Sequence, residues 1–145
     1  MSYQGRYQPI YPQKYKGNHT NIIYRSSWER LVMKWCDTYP DVVECNSEEL
    51  IIGYICSTDG QAHRYFPDFY IKFKSGLKLL VEVKPEAQTI VPKATKNQRR
   101  ALTEAFTFAK NKSKWEAAKE YAKKNDMAFQ VWTEKTLRNM GIMVK

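Results

Sequence analysis

At 145 residues, with 43% hydrophobic and 14% aromatic content, the chain has enough apolar material for one packed domain, which excludes disorder as the starting assumption. No apolar run approaches the roughly 20 residues of a membrane span, and the polar, aromatic opening from Met1 to Lys16 lacks the apolar stretch of a signal peptide, so a cytoplasmic protein is expected. The net charge of +9 is concentrated, because residues 72–124 hold fourteen Lys or Arg against five Glu while the rest balances ten against ten; that excess suits a nucleic-acid partner as well as it suits a solvated lysine-rich surface.

In chain order, residues 1–21 carry tyrosines, prolines and glycines without a helical period, and read as an extended arm preceding a domain over 22–145. Ser26 followed three residues later by Glu29 is a capping-box pattern. Trp28, Leu31, Trp35 and Tyr39, with Val32 beside them, continue it as a helix that Pro40 stops. Short β-like stretches follow at Val42–Cys45 and Leu50–Ile55, then a turn at Thr58-Asp59-Gly60. Tyr65–Phe73 and Leu77–Lys84 are the two strongest strand patterns. The segment from Glu86 to Lys96 reads as a loop. A helix is expected from Asn97 to about Lys110, and a second one opened by the Ser113/Glu116 capping box and ending near Asn125. Ala128–Trp132 alternates like a strand, and Thr133 begins a short terminal helix. The order predicts an α/β fold with a mixed central sheet flanked by helices. Cys36, Cys45 and Cys56 are an odd set without a C-x-x-C pair, so reduced, packed thiols are expected.

The two strong strands fix a geometry. The three-residue link Lys74-Ser75-Gly76 places a glycine where a hairpin needs a left-handed residue. That register sets Phe73 opposite Leu77 and therefore Asp68 opposite Glu82. Alternation puts Phe66, Asp68 and Tyr70 on one face with Leu80, Glu82 and Lys84, leaving Phe69, Ile71 and Phe73 against Leu77, Leu79, Val81 and Val83 as core. Opposed carboxylates repel unless a cation sits between them. Hard oxygen donors favour Mg²⁺, with Mn²⁺ as a substitute, and the Val83 carbonyl is a candidate further ligand. Lys84 on the same face suits the orientation of an attacking water and the offset of charge on a phosphoryl group.

Pro67-Asp68, followed fourteen residues after the Asp by Glu82-Val83-Lys84, resembles the signature of the PD-(D/E)XK nuclease superfamily. The helix bearing Glu29 and the stretch Phe129–Glu134 resemble its TnsA-like members. Nearly the whole chain resembles the head-completion nucleases of T4-like bacteriophages, through Met1-Ser2-Tyr3-Gln4-Gly5-Arg6-Tyr7, Asn21-Ile22-Ile23-Tyr24-Arg25-Ser26 with Trp28-Glu29-Arg30, His63-Arg64-Tyr65-Phe66, and Val81 to Pro85. It departs from them mainly between Lys93 and Lys112. The resemblance implies a restriction-endonuclease-like core and Mg²⁺-dependent hydrolysis of DNA phosphodiesters. It also implies a place in the host-cell cytoplasm, in association with the phage head, where packaged genome ends are processed; portal or head proteins are then further partners and a membrane is not. A head protein that binds DNA ends and the portal without cutting is the alternative.

The resemblance also implies that Glu29 completes a metal set of Asp68, Glu82 and Val83, although its position in the capping box gives it the ordinary task of holding the Ser26 amide. Catalysis is thus expected from Glu29, Asp68, Glu82 and Lys84. Candidate contacts to double-stranded DNA, without sequence preference, are Arg25, Arg30, His63, Arg64, Lys93, Lys96, Arg99, Arg100, Lys112 and Lys114, with Lys110 in the same basic stretch. Arg25 and Arg30 could instead pair with Glu29, and His63 could be structural. Glu48 and Glu49 read as surface charge.

Overall fold

The first helix owes its start to a cap and its end to a proline. In the computed structural model, which describes residues 2–93 and 96–144, helix α1 spans Ser27–Thr38, and Ser26 at its N-cap accepts from the Glu29 amide at 3.2 Å. The reciprocal bond is displaced by one residue from the expected box: the Glu29 carboxylate accepts from the amide of Arg25, also at 3.2 Å, and not from that of Ser26. Pro40 lies just past the last turn. The buried stripe runs through Val32, Met33 and Cys36, with Trp28, Leu31 and Trp35 packed at its flank and the partly exposed Tyr39 stacked on Trp35. Glu29 stands one turn before Val32 and Met33 on that same inward line.

Strand pairing places α1 against one face of a sheet. Strands β1 (Ser2–Tyr7) and β2 (Ile22–Ser26) form an antiparallel ribbon beside α1. Then come β3 (Val42–Ser47), β4 (Ile52–Ile55), β5 (Ala62–Tyr65), β6 (Phe69–Phe73), β7 (Lys78–Val83) and β8 (Ala128–Trp132). The central sheet has the order β3-β6-β7-β8, antiparallel except for the β7–β8 pair; β4 and β5 form a separate hairpin. The expected register is observed: Phe69 opposes Val81, Tyr70 opposes Leu80 and Ile71 opposes Leu79. Gly76 has φ +93°, and Phe73 and Leu77 close the turn with a 2.8 Å bond from the Phe73 amide to the Leu77 carbonyl. The stretch from Tyr65 to Phe73 is not one strand. Pro67, lacking an amide hydrogen, separates β5 from β6 and lets Tyr65 pair with Ile52 while Phe69 pairs with Val81.

Helices cover both faces. Phe69, Ile71, Leu79 and Val81 pack with Val32, Met33 and Cys36 of α1 and with Trp132 and Leu137. On the opposite face Leu80 packs with Ile52, Tyr54, Tyr65, Ala118 and Ala122. The last two belong to α2, which runs unbroken from Gln98 to Lys124. The two helices expected there are one. No Gly or Pro lies between Lys110 and Lys114, and Ser113 does not cap. Its hydroxyl instead receives the Ser57 amide at 3.2 Å and lies 3.1 Å from the Ser57 hydroxyl, across the turn after β4. Helix α2 is also the crossover that parallel β7 and β8 require. A short helix α3 (Glu134–Asn139), capped by Thr133, closes the chain. Of the expected loop over 86–96, Glu86–Gln88 forms a single 3₁₀ turn, and residues 94 and 95 lie outside the described ones. The three cysteines are free and buried. Among the described residues no helix is long and apolar enough to cross a membrane.

This is the mixed α/β architecture of the restriction-endonuclease-like fold.

Candidate active site

The expected residues meet where β6 begins and β7 ends. Asp68 immediately precedes β6, and its Oδ2 accepts from the Val83 amide at 2.8 Å, so the side chain bridges to the end of β7. Glu82 is buried on β7 two residues beyond Leu80, hence on the face covered by α2. Both of its carboxylate oxygens have partners: Oε1 accepts from the Tyr65 hydroxyl at 2.5 Å, and Oε2 lies 3.4 Å from the Lys84 ammonium. Glu29 reaches the site from α1. A cavity lined by Glu29, Val83 and Lys84, together with Ser26, Trp28, Pro85 and Gln88, opens at this end of the sheet.

One carboxylate oxygen from each of Glu29, Glu48 and Asp68 lies within 4.8 Å of the other two. Glu48 follows β3 with φ +55°, a conformation unusual for a residue other than glycine, and its amide donates to the Asp68 carbonyl at 3.2 Å. Burial pushes the Asp68 carboxyl well above the usual range. The charges of Glu82, Glu29 and Glu48 push it the same way, against the pull of the Val83 amide. Burial raises Glu29 too, with Glu48 adding to it and the Arg25 amide opposing. Carboxylates that repel in a partly desolvated pocket, all hard oxygen donors, fit a divalent cation. Glu82 does not join this triplet, but its charge is the largest electrostatic influence on Asp68.

The remaining candidates scatter. The guanidinium of Arg25 pairs with Glu48, its Nε 3.1 and 3.2 Å from the two carboxylate oxygens, and meets Glu29 only through its amide. Arg30 is exposed and lines a separate cavity with Arg6 and Tyr24. His63, on β5, pairs with Asp59 of the β4–β5 turn at 2.8 Å and lies near the Tyr54 ring; Arg64 beside it is exposed. Lys93, Lys96, Arg99, Arg100, Lys110 and Lys112 are exposed, Arg100 bonding Glu104 at 2.9 Å. Lys114 differs from them, being partly buried with its ammonium 5.6 Å from the centroid of the Tyr65 ring. Two residues at the site were not anticipated. Glu48 had read as surface charge, and only the return of β3 alongside β6 brings it to Asp68. Tyr65 had read only as the start of a strand, and its hydroxyl holds Glu82.

Two similarities with known proteins bear on this arrangement. The TnsA-like endonuclease N-terminal family matches residues 39–134, which contain Asp68, Glu82 and Lys84. The head completion nuclease of Enterobacteria phage T4 is 35% identical over 146 residues, covering 97% of each chain. With residues 39–134 matched by that family and most of its length matched by the phage nuclease, the chain belongs to the TnsA-like endonuclease family.

Proposed function

We propose that the chain is a divalent-cation-dependent deoxyribonuclease that hydrolyses phosphodiester bonds of double-stranded DNA during phage head completion, with Mg²⁺ as the cation and Mn²⁺ as a substitute. The observation that carries this reading is the convergence of Glu29, Glu48 and Asp68 within 4.8 Å beside the Glu82–Lys84 pair. The residues proposed to hold the cation are Asp68, Glu82, Glu29 and the Val83 carbonyl, to which the geometry adds Glu48. The chemistry such a cation supplies is polarisation of a phosphoryl oxygen and a lowered pKa for water.

The chain's own groups have separate tasks in this reading. Tyr65 fixes one Glu82 oxygen through its 2.5 Å bond and so keeps the other turned toward Lys84. The Lys84 ammonium orients the attacking water and offsets the charge that develops on the phosphoryl oxygens. The Val83 amide holds Asp68 in one rotamer. The net charge of +9 supplies the sequence-independent attraction to DNA, with Arg25, Arg30, His63, Arg64, Lys93, Lys96, Arg99, Arg100, Lys112 and Lys114 as proposed phosphate contacts. Portal or head proteins are the proposed protein partners, for which Leu102 and Phe106, exposed one turn apart on the first half of α2, offer an apolar surface.

Purified protein incubated with supercoiled plasmid and Mg²⁺ or Mn²⁺ tests the assignment. The parent should nick or trim the DNA. Asp68→Asn and Lys84→Ala should each lose on the order of 10³-fold or more in rate, as expected when a group acting on the transition state is removed. Retained cleavage by both variants would overturn the site.

A further inference from the structure

Among the described residues of the basic stretch that starts at Lys93, one lysine departs from the pattern. Lys93, Lys96, Arg99, Arg100, Lys110 and Lys112 are exposed, whereas Lys114 is partly buried. The reason lies in the continuity of α2. Lys114, Ala118 and Ala122 stand four residues apart, so they share one helix face. Ala118 and Ala122 are buried against Leu80 and Tyr65. One turn earlier on that face, a side chain meets the end of β7, where Glu82 follows Leu80 on the same side of the strand.

The contacts agree with this placement. The Lys114 ammonium lies over the Tyr65 ring at 5.6 Å, and the hydroxyl of that ring is bonded to Glu82. The charges acting on Lys114 are those of Glu82, Lys110, Lys84 and Asp68, and burial draws its ammonium below the ordinary lysine range. The neighbouring Ser113 is tied to Ser57, which fixes this turn of the helix to the β4–β5 hairpin. Lys84 and Lys114 therefore approach Glu82 from different elements, one from the strand and one from the helix.

We infer that Lys114 is a second catalytic lysine, which binds a non-bridging oxygen of the scissile phosphodiester from the α2 side and stabilises the negative charge gained there as water attacks the phosphorus. This deepens the nuclease reading proposed above and rests on it. A cation held by a ring face and partly withdrawn from water has little reorganisation to undergo when that charge appears, and this is the condition under which a fixed positive group lowers a barrier. Lys93, Lys96, Arg99, Arg100, Lys110 and Lys112, exposed as they are, position DNA without this effect.

The test compares the parent with Lys114→Ala, Lys114→Met and Lys114→Arg in saturated plasmid cleavage with Mn²⁺, in DNA affinity and its salt dependence without metal, and in thermal unfolding. Turnover should fall about 100-fold in Lys114→Ala and Lys114→Met. KM and metal-free affinity should change little, and Lys114→Arg should recover part of the loss. Lys114→Met keeps the aliphatic stem over Tyr65, so a rate loss in that variant at the parent's unfolding midpoint reports the charge and not the fold. Parental turnover in Lys114→Met overturns the inference. So does a pure affinity loss with a salt slope lowered by about one, which is the signature of an ordinary phosphate contact. A parent that cleaves no DNA with either cation overturns the nuclease reading and this inference with it, whereas a cleaving parent matched by its Lys114 variants overturns this inference alone.

Discussion

Asp68 is the residue on which the electrostatics of the site turn, because burial and three neighbouring carboxylates all favour its protonated form. An unfolded aspartate titrates near pH ~3.9. With the folded value raised above that, the stabilising contribution of the protonated group is complete below the unfolded pKa and is lost as pH rises through the folded pKa. At neutral pH the metal-free protein therefore holds an unfavourable charge, or holds a proton that a cation must displace. Asp68→Asn keeps an oxygen for the Val83 amide and removes the charge. In metal-free buffer its unfolding midpoint should exceed that of the parent at neutral pH, and the gap should close on acidification. Mn²⁺ should raise the parent's midpoint at neutral pH by binding the folded state, and leave Asp68→Asn unmoved. A parent midpoint insensitive to Mn²⁺ would argue against a cation at this position.

At the scale of elements, the β6–β7 hairpin is the piece that aligns the site, and its turn depends on one glycine. Gly76 has φ +93°, and the space a Cβ would occupy there is open to 4 Å, so Gly76→Ala meets strain without collision. It should lower unfolding stability by about 1 kcal/mol in urea titration, whereas Gly53→Ala, at an equally open position on β4 without positive φ, should not. This hairpin was legible in the sequence because turn chemistry and alternation are local signals. The Pro67 break within the longer β pattern was legible in hindsight only, since it depends on β5 pairing with β4 instead of continuing into β6. The continuity of α2 was hidden for a different reason. Ser113 and Glu116 fit a helix start and a helix surface equally well, and what decides is Ser57, 56 residues away in sequence. Glu48 was illegible in the same sense. It is an acid in a polar stretch until β3 pairs with β6, and then it stands beside Asp68 and Glu29.

At the scale of the whole molecule, residues 2–21 are fastened to the rest through a buried carboxylate, a buried tyrosine and a strand pairing. Asp37, on the inner face of α1, accepts from the Tyr7 hydroxyl at 2.6 Å and from the amides of Ile10 and Tyr11 at 2.7 and 2.9 Å. Lys14 adds bonds to the carbonyls of Asp37 and Tyr39, both at 3.0 Å, and Tyr15 is buried in the α1-side core, its hydroxyl bonded to Glu49 at 3.0 Å. Strand β1 also pairs with β2, in which Arg25 supplies its amide to Glu29 and its guanidinium to Glu48. The segment thus connects mechanically to two of the clustered carboxylates. Asp37→Ala removes the acceptor of two backbone amides and a tyrosine, and should destabilise the protein by on the order of 3 kcal/mol. For a chain of this size that lowers the unfolding midpoint by roughly 10 °C. Deleting residues 1–21 should be worse, because β2 would become an unpaired edge and Ile22 would lose its cover. Below its lowered midpoint, Asp37→Ala should cleave DNA more slowly at saturation while binding it with parental affinity, because a loosened β2 shifts Glu29 and Glu48 but leaves the basic residues of α2 untouched. Thermal unfolding and saturated cleavage on the same preparation check both halves. A loss of stability with parental turnover would separate the arm's mechanical role from the chemistry of the site.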